Sequence, residues 1–249
     1  MTIRNFSPRP PAPGVPLKAI LFDLDDTLWP IAPVIIEAER KLHCWLSMHA
    51  PRVALQFSID SLRQHRLDLL TRAPHLASDL GALRRAGLLT AFETAGEDSA
   101  KVDAAMRHFL MARNAVTLYE DVLPGLARLK GRVRLGTISN GNADLEVIGL
   151  AHHFEVSLAA SQFGRAKPDP AIFHAACAAL GVEPAAALYV GDDLLLDVAG
   201  AQAAGMRALW LNRHGASQSA ALGAADVRPD VICATFDEII GWLDRQPEE

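Results

Sequence analysis

Short apolar segments, each followed by polar residues, recur along this chain of 249 residues and constrain its fold most strongly. Such segments are typical of strands that are buried on both faces of a parallel sheet. The sequence predicts strands at Ala19 to Leu24, Val133 to Ile138, Val156 to Ala159, Ala187 to Val190, Arg207 to Leu211 and Val231 to Cys233. Helical patterns alternate with these segments, at Pro124 to Lys130, Ala143 to Leu150, Pro170 to Leu180 and Leu195 to Ala204. We therefore expect an α/β fold with a doubly wound, Rossmann-like parallel sheet.

The segment between the first two predicted strands has a different pattern. It lacks strand-like runs, and its apolar residues recur at helical spacing, as at Ile35, Ala38 and Leu42. Prolines and glycines interrupt the pattern and indicate about four helices. We therefore predict a Pro-rich flexible N-terminal arm (residues 1–16), an α/β catalytic core (17–30 and 118–249) and an inserted α-helical cap (31–117).

Composition limits the partners that this chain can have. Half of its residues are hydrophobic and its formal net charge is −5, so we expect a small-molecule partner and neither nucleic acid nor a membrane. No apolar run is long enough to span a bilayer. Its cysteines, Cys44, Cys177 and Cys233, form no CxxC pair, which favours a reducing, cytoplasmic location. The oligomeric state is left open.

Three acids crowd the end of the first predicted strand, in the stretch FDLDDTLW. If the strand continues through it, Asp23 and Asp25 point to one face and Asp26 to the other, because side chains alternate along a strand. Two carboxylates about 4 Å apart repel by roughly 4 kcal/mol at an effective dielectric near 20. The pair therefore predicts a metal cation, or a shared proton, that offsets the repulsion.

Polar residues also follow the other predicted strands. Ser139 and Asn140 come after the second strand, Lys167 precedes a predicted helix start, and Asp192 follows the strand that ends at Val190. The carboxyl ends of parallel strands meet at one edge of the sheet, where such proteins bind ligands. Carboxylates, a hydroxyl and a lysine at that edge favour phosphoryl transfer with Mg²⁺.

The order of these clusters resembles the four motifs of the haloacid dehalogenase superfamily, DxDxT, [ST]N, K and GDD. The stretches FDLDDTLW, ISNGNADLEVIGL, GRAKPDPAIF and VGDDLLLDVAGA are similar to a bacterial branch that includes a phosphatase of riboflavin biosynthesis. The resemblance covers about Lys18 to Leu243 and is weakest in the predicted cap. It implies a Mg²⁺-dependent phosphatase that hydrolyses a small phosphate monoester, such as a phosphorylated flavin precursor or a nucleotide, through an aspartyl-phosphate.

The resemblance also implies roles for individual residues. Asp23 is the expected nucleophile, and Asp25 the expected acid and then base. The expected phosphate-binding residues are Ser139, Asn140 and Lys167, of which Lys167 also neutralises Asp23. The expected Mg²⁺ ligands are the Asp23 carboxylate, the Asp25 main-chain carbonyl and Asp192. Asp193 and Asp197 are expected close behind them, although Asp197 equally suits the first turn of a helix.

Other interpretations use part of the same pattern. A phosphosugar mutase has the same four motifs, and a haloacid dehalogenase needs neither metal nor the second aspartate of DxD. A receiver-type signalling module shares the acids and the lysine but is shorter and has no helical insertion. Five arginines of the predicted cap are candidates for contact with a polar leaving group, although a solvated helical face is the simpler expectation for each: Arg63, Arg66, Arg72, Arg107 and Arg113.

Overall fold

A computed structural model describes residues 15–215 and 227–246, so residues 1–14 of the predicted arm lie outside the described part. The described chain forms a six-stranded, all-parallel sheet in the order β3-β2-β1-β4-β5-β6. The strands are β1 (Ala19–Phe22), β2 (Arg134–Ser139), β3 (Val156–Ala159), β4 (Ala187–Gly191), β5 (Arg207–Leu211) and β6 (Val231–Cys233). The predicted α/β fold with a parallel sheet is confirmed.

The register of the sheet brings three strand ends together. Phe22, the last residue of β1, lies opposite Thr137 of β2 and Val190 of β4. The polar residues that follow these strands therefore share one edge of the sheet. This is the edge at which the sequence predicts the site.

Helices fill the long connection between β1 and β2. They are α1 (Ile31–His49), α2 (Pro51–Gln56), α3 (Ile59–Arg72), α4 (Leu80–Ala95) and α5 (Val102–Arg113), with 3₁₀ turns at Pro74–Ser78 and Ser99–Lys101. Leu42, Leu46, Leu88, Phe92 and Phe109 belong to an apolar cluster of their own. We call residues 31–113 the helical insertion. Its separation from the sheet as a cap domain stays a prediction.

The remaining helices cover the two faces of the sheet. They are α6 (Val122–Leu129), α7 (Leu145–Ile148), α8 (Ala160–Phe163), α9 (Pro170–Ala179), α10 (Gly200–Ala203) and α11 (Phe236–Leu243). Alternate residues of β1 point to opposite faces: Ile20 and Phe22 pack in the cluster that holds Phe236, and Leu21 packs in the one that holds Phe173. Among the residues described, no helix has the length and apolarity needed to cross a membrane.

Two predicted helices differ from the observed ones. The segment predicted as a helix from Leu195 to Ala204 is a π-helical turn at Leu194–Ala199 that continues into α10. The helix predicted from Ala143 to Leu150 shortens to α7 because Asp144 accepts the backbone N–H groups of its first turn and Gly149 ends it with φ of 86°.

Candidate active site

A buried ion pair lies at the centre of the sheet edge. Lys167 Nζ donates to Asp23 Oδ1 at 2.5 Å, to Asp197 Oδ1 at 2.6 Å and to the Tyr189 hydroxyl at 3.0 Å. Burial alone would lower the pKa of Lys167, but Asp197 and Asp23 outweigh it and hold that pKa well above its ordinary value. The lysine is therefore a fixed cation with all three of its N–H groups engaged.

Asn140 fixes the backbone that carries Lys167. Its Nδ2 donates to the Lys167 carbonyl at 3.0 Å, and its Oδ1 accepts the Lys167 N–H at 2.8 Å. The Lys167–Pro168 peptide bond is cis. Because both ends of the amide are engaged, the Asn140 side chain positions the backbone of Lys167, and the phosphate contact of Asn140 stays a prediction.

Three carboxylates meet beside the lysine. Asp23, Asp192 and Asp197 each place an oxygen within 4.8 Å of the others. Both oxygens of Asp197 are engaged, since its Oδ1 accepts from Lys167 and its Oδ2 accepts the Asp193 N–H at 3.0 Å. Asp23 and Asp192 each use only one oxygen in hydrogen bonds to described residues, so they have the greater capacity for a cation.

The charge balance of this cluster fits a divalent cation. Burial raises the pKa of Asp192 to about 7, with the charges of Asp197 and Asp26 adding to the effect. Burial likewise raises the pKa of Asp23 well above its ordinary value, against the opposing charge of Lys167. Three acids face one lysine, and hard oxygen ligands of this kind suit Mg²⁺. The cluster can therefore hold a metal ion.

Asp25 is not a member of this acidic group in the part of the chain that is described. Its carboxylate instead accepts from Arg113 Nη2, at 2.7 Å to each oxygen, and from Trp29 Nε1 at 2.9 Å. Side-chain alternation continues past the end of β1, since Leu24 packs in the cluster that holds Ile20 and Phe22. The sequence predicts one cation or a shared proton for the pair, whereas each acid has its own basic partner, Lys167 for Asp23 and Arg113 for Asp25. The crowding that favours a cation arises from Asp23, Asp192 and Asp197.

Asp26 makes the turn that follows. It has φ of 59°, a left-handed conformation that aspartate tolerates better than most residues. Its Oδ1 accepts the N–H of Ile31, the first residue of α1, at 2.9 Å. Asp26 therefore shapes the entry into the helical insertion.

The loop after β2 brings Ser139 next to Asp25. Ser139 is buried and its Oγ accepts the Gly141 N–H at 2.9 Å. A Cβ atom on Gly141 would lie 2.6 Å from Asp25 Oδ2 and 3.2 Å from Ser139 Oγ, so only glycine fits there. The end of β2 therefore packs directly against the carboxylate of Asp25.

The GDD segment has two different acids. Asp192 accepts from Thr27 Oγ1 at 3.3 Å and faces the cluster. Asp193 instead caps the π-helical turn, with its Oδ1 accepting the N–H groups of Leu195 and Leu196 at 2.7 and 2.8 Å. Its side chain supports the local backbone, and its N–H holds Asp197.

The arginines of the insertion follow different patterns. Arg72 and Arg107 are exposed, as expected for a solvated face. That expectation is wrong for Arg66, which is mostly buried against Glu39 at 2.5 Å, in a cluster that ties α1 to α3 and α4. It is also wrong for Arg113, whose side chain is 1% exposed and reaches Asp25.

Sequence reasoning misses Tyr189 and, although Arg113 is among the candidate arginines, the contact of Arg113 with Asp25. Tyr189 donates to the Ile138 carbonyl at 2.9 Å and accepts from Lys167, and burial raises the pKa of its hydroxyl well above the ordinary value. A tyrosine in an otherwise apolar buried strand is a usable signal, since a buried hydroxyl needs a partner. Arg113 has no such signal in the sequence.

The structure thus places an acidic cluster with a buried lysine at the carboxyl edge of a parallel sheet. Residues 17–205 match the haloacid dehalogenase-like hydrolases, and the chain belongs to that family. The resemblance that the motifs indicate is thereby confirmed.

Relatives of known name make the class of enzyme more specific. The Escherichia coli (strain K12) 5-amino-6-(5-phospho-D-ribitylamino)uracil phosphatase YigB is 34% identical over 199 residues, which cover 78% of this chain and 83% of that protein. Phosphoserine phosphatase of Thermus thermophilus is 36% identical over 144 residues, 55% of this chain and 58% of that protein. The prediction of a phosphoric monoester hydrolase is confirmed.

A solved structure covers nearly the whole chain. The crystal structure of 2-haloacid dehalogenase from Pseudomonas syringae pv. tomato DC3000 matches with a TM-score of 0.85 and 39% identity, over 93% of this chain and all of that one. The likeness extends through the helical insertion.

Proposed function

We propose that this enzyme is a Mg²⁺-dependent phosphatase that hydrolyses a small phosphate monoester through an aspartyl-phosphate on Asp23. The observation that carries the proposal is the contact of Lys167 with Asp23 at 2.5 Å, beside Asp192 and Asp197. A lysine in this position can neutralise both the nucleophile and a phosphoryl oxygen. The mixture of one fixed cation with several acids favours phosphoryl transfer in the presence of a metal.

The reaction divides into two displacements at phosphorus. An oxygen of Asp23 forms a bond to phosphorus as the ester bond breaks, and Asp25 gives its proton to the departing alkoxide. Water then attacks phosphorus, Asp25 takes a proton from it, and the bond to Asp23 breaks to release phosphate. Ser139, the backbone N–H groups of its loop and Lys167 hold the phosphoryl oxygens.

The metal site belongs to the same proposal. Asp23 and Asp192 would hold Mg²⁺, together with the main-chain carbonyl of Asp25. When bound, Mg²⁺ supplies positive charge that stabilises the transferring phosphoryl group and offsets the clustered carboxylates. Asp197 acts on the lysine, because both of its oxygens are engaged by Lys167 and the Asp193 N–H.

The substrate is proposed from the relatives. The name of the E. coli relative supports a phosphorylated flavin precursor, and a nucleotide remains the second choice. Two other reactions are open. A phosphosugar mutase would pass the phosphoryl group to a sugar, and the named structural relative supports dehalogenation of a 2-haloacid. Asp25 favours the phosphatase, since dehalogenation has no alkoxide to protonate.

Product release from a panel of substrates tests the proposal. The panel contains a phosphorylated flavin precursor, nucleoside monophosphates, sugar phosphates and a 2-chloro acid, each assayed with Mg²⁺ and with chelator. We expect phosphate release that requires Mg²⁺ and no chloride release. Absence of phosphate release, full activity in chelator, or release of chloride would contradict the proposal, and isomerisation of a sugar phosphate without phosphate release would favour the mutase.

A further inference from the structure

Arg113 links the helical insertion to the carboxylate that is proposed to move protons. It is the last residue of α5, and its Nη2 lies 2.7 Å from each oxygen of Asp25. Its Nε donates to Asn142 Oδ1 at 3.3 Å, in the loop that follows β2. One side chain of the insertion therefore contacts both strand-end loops.

The surroundings hold the Asp25 carboxylate firmly. Trp29 Nε1 donates to Oδ1 at 2.9 Å, and the backbone of Gly141 lies close to Oδ2, since a Cβ atom added there would be 2.6 Å from it. Arg113 supplies the remaining contact and, among the described residues, the only one that carries a full charge. A charge-assisted hydrogen bond is about twice as strong as a neutral one, so Arg113 contributes most to the orientation.

The guanidinium is not saturated by the protein. Nη1 of Arg113 is buried and has no hydrogen-bond partner among the described residues. A buried donor without an acceptor costs on the order of 1–3 kcal/mol. Nη1 therefore has capacity for an acceptor that the described residues do not supply.

We propose that Arg113 is a positioning residue for Asp25. It holds the carboxyl group where the departing alkoxide oxygen of the substrate forms, and it makes that orientation depend on the insertion to which Arg113 belongs. The inference rests on the proposed phosphatase function. Misplacement of a reacting group by about 1 Å can cost on the order of 100-fold in rate, so loss of this contact has a measurable effect.

The basicity of the leaving group separates positioning from other roles. An alkoxide needs a proton as it departs, whereas p-nitrophenolate leaves without one. The ratio kcat/KM includes only the steps up to departure of the alcohol, so it reports proton donation and excludes the later attack of water. An arginine that bound the phosphoryl group would instead affect both substrates equally, because both carry it.

The experiment compares Arg113→Met, Arg113→Lys and Asp25→Asn in the full-length enzyme with Mg²⁺. The substrates are an alkyl phosphate that the wild type hydrolyses and p-nitrophenyl phosphate. For Arg113→Met we expect kcat/KM to fall about 100-fold on the alkyl phosphate and less than about threefold on p-nitrophenyl phosphate. Asp25→Asn should show the same selectivity. Arg113→Lys should recover part of the loss, because lysine keeps the positive charge but lacks the planar guanidinium that contacts both Asp25 and Asn142.

Arg107→Met is the matched control, since Arg107 lies on the same helix and is exposed. It should retain the wild-type ratio of the two activities. Equal losses on both substrates, or no loss, in Arg113→Met and Arg113→Lys would overturn the positioning role while leaving the phosphatase intact. Absence of phosphate release by the wild type from either substrate would overturn both proposals. The Lys variant serves as the test if the Met variant does not fold.

Discussion

The three acids of FDLDDTLW have three different sets of contacts. The Asp23 carboxylate accepts a hydrogen bond from Lys167, and the Asp25 carboxylate accepts hydrogen bonds from Arg113 and Trp29. The Asp26 carboxylate accepts the N–H of the first residue of α1. These contacts assign each acid a separate task before any substrate is considered. Asp23 is the one that combines burial, a neighbouring lysine and other carboxylates, which is the environment of a nucleophile that binds near a metal.

We expect Asp23→Asn to abolish phosphate release and Asp26→Asn to keep most of it. An amide at position 23 is a much poorer nucleophile than a carboxylate. The substitution also removes the negative charge that pairs with Lys167. Asparagine at position 26 can still accept the Ile31 N–H and tolerates φ of 59°. Steady-state phosphate release measures both, with thermal unfolding as the control for folding. Equal losses of activity would contradict this division of tasks.

At the level of strands and helices, local pattern predicts position better than contacts. The strand ends are predicted within about two residues because apolar runs stop where the sheet stops. The contact between Arg113 and Asp25 is missed because the two residues lie 88 positions apart, and no periodicity relates the end of α5 to that carboxylate.

Asp193 supports the geometry of the site although its own carboxylate lies outside the acidic cluster. Its carboxylate caps the π-helical turn, and its N–H orients Asp197, which in turn holds Lys167. The turn follows β4 directly, so its start must be fixed for Asp192 and Asp197 to face the same cluster. A π-helical turn near functional residues is a known local adjustment of this kind.

We expect Asp193→Ala to destabilise the fold by about 1 kcal/mol through loss of the cap, and to lower phosphate release. Asp193→Asn should retain both stability and activity, because asparagine caps a helix equally well without the charge. Chemical denaturation and phosphate release measure the two effects. If Asn lowered activity as strongly as Ala, the charge of Asp193 would matter and the capping role would be insufficient.

For the molecule as a whole, the proposed metal site would couple folding to cation binding. The fold brings together Asp23, Asp192 and Asp197 with a buried lysine, so the native state concentrates negative charge that the unfolded chain disperses. A cation that binds only the native cluster stabilises the protein by mass action. The helical insertion adds a further charge, Arg113, which pairs with Asp25 rather than with this cluster.

We expect Mg²⁺ at about 100 times its dissociation constant to stabilise the native state by about 2.7 kcal/mol. For a chain of this size, that corresponds to a rise in Tm of roughly 5 to 10 °C. Thermal unfolding with Mg²⁺ and with chelator measures it. Asp192→Asn should remove the Mg²⁺-dependent rise, because it removes one of the two carboxylates that have the greater capacity for a cation.

The same variant should raise the Tm of the metal-free protein above that of the wild type at pH 8. Burial raises the pKa of Asp192 to about 7 in the folded chain, from an ordinary value of 3.8. A carboxyl group whose pKa is raised in the folded state contributes stability that is fully present below the pKa of the unfolded chain. That stability is lost as the pH rises through about 7. Asparagine carries no charge at pH 8, so it avoids that loss. This gain in Tm should vanish near pH 4. For the Mg²⁺ prediction, an equal Mg²⁺-dependent rise in Tm in wild type and variant would place the cation elsewhere.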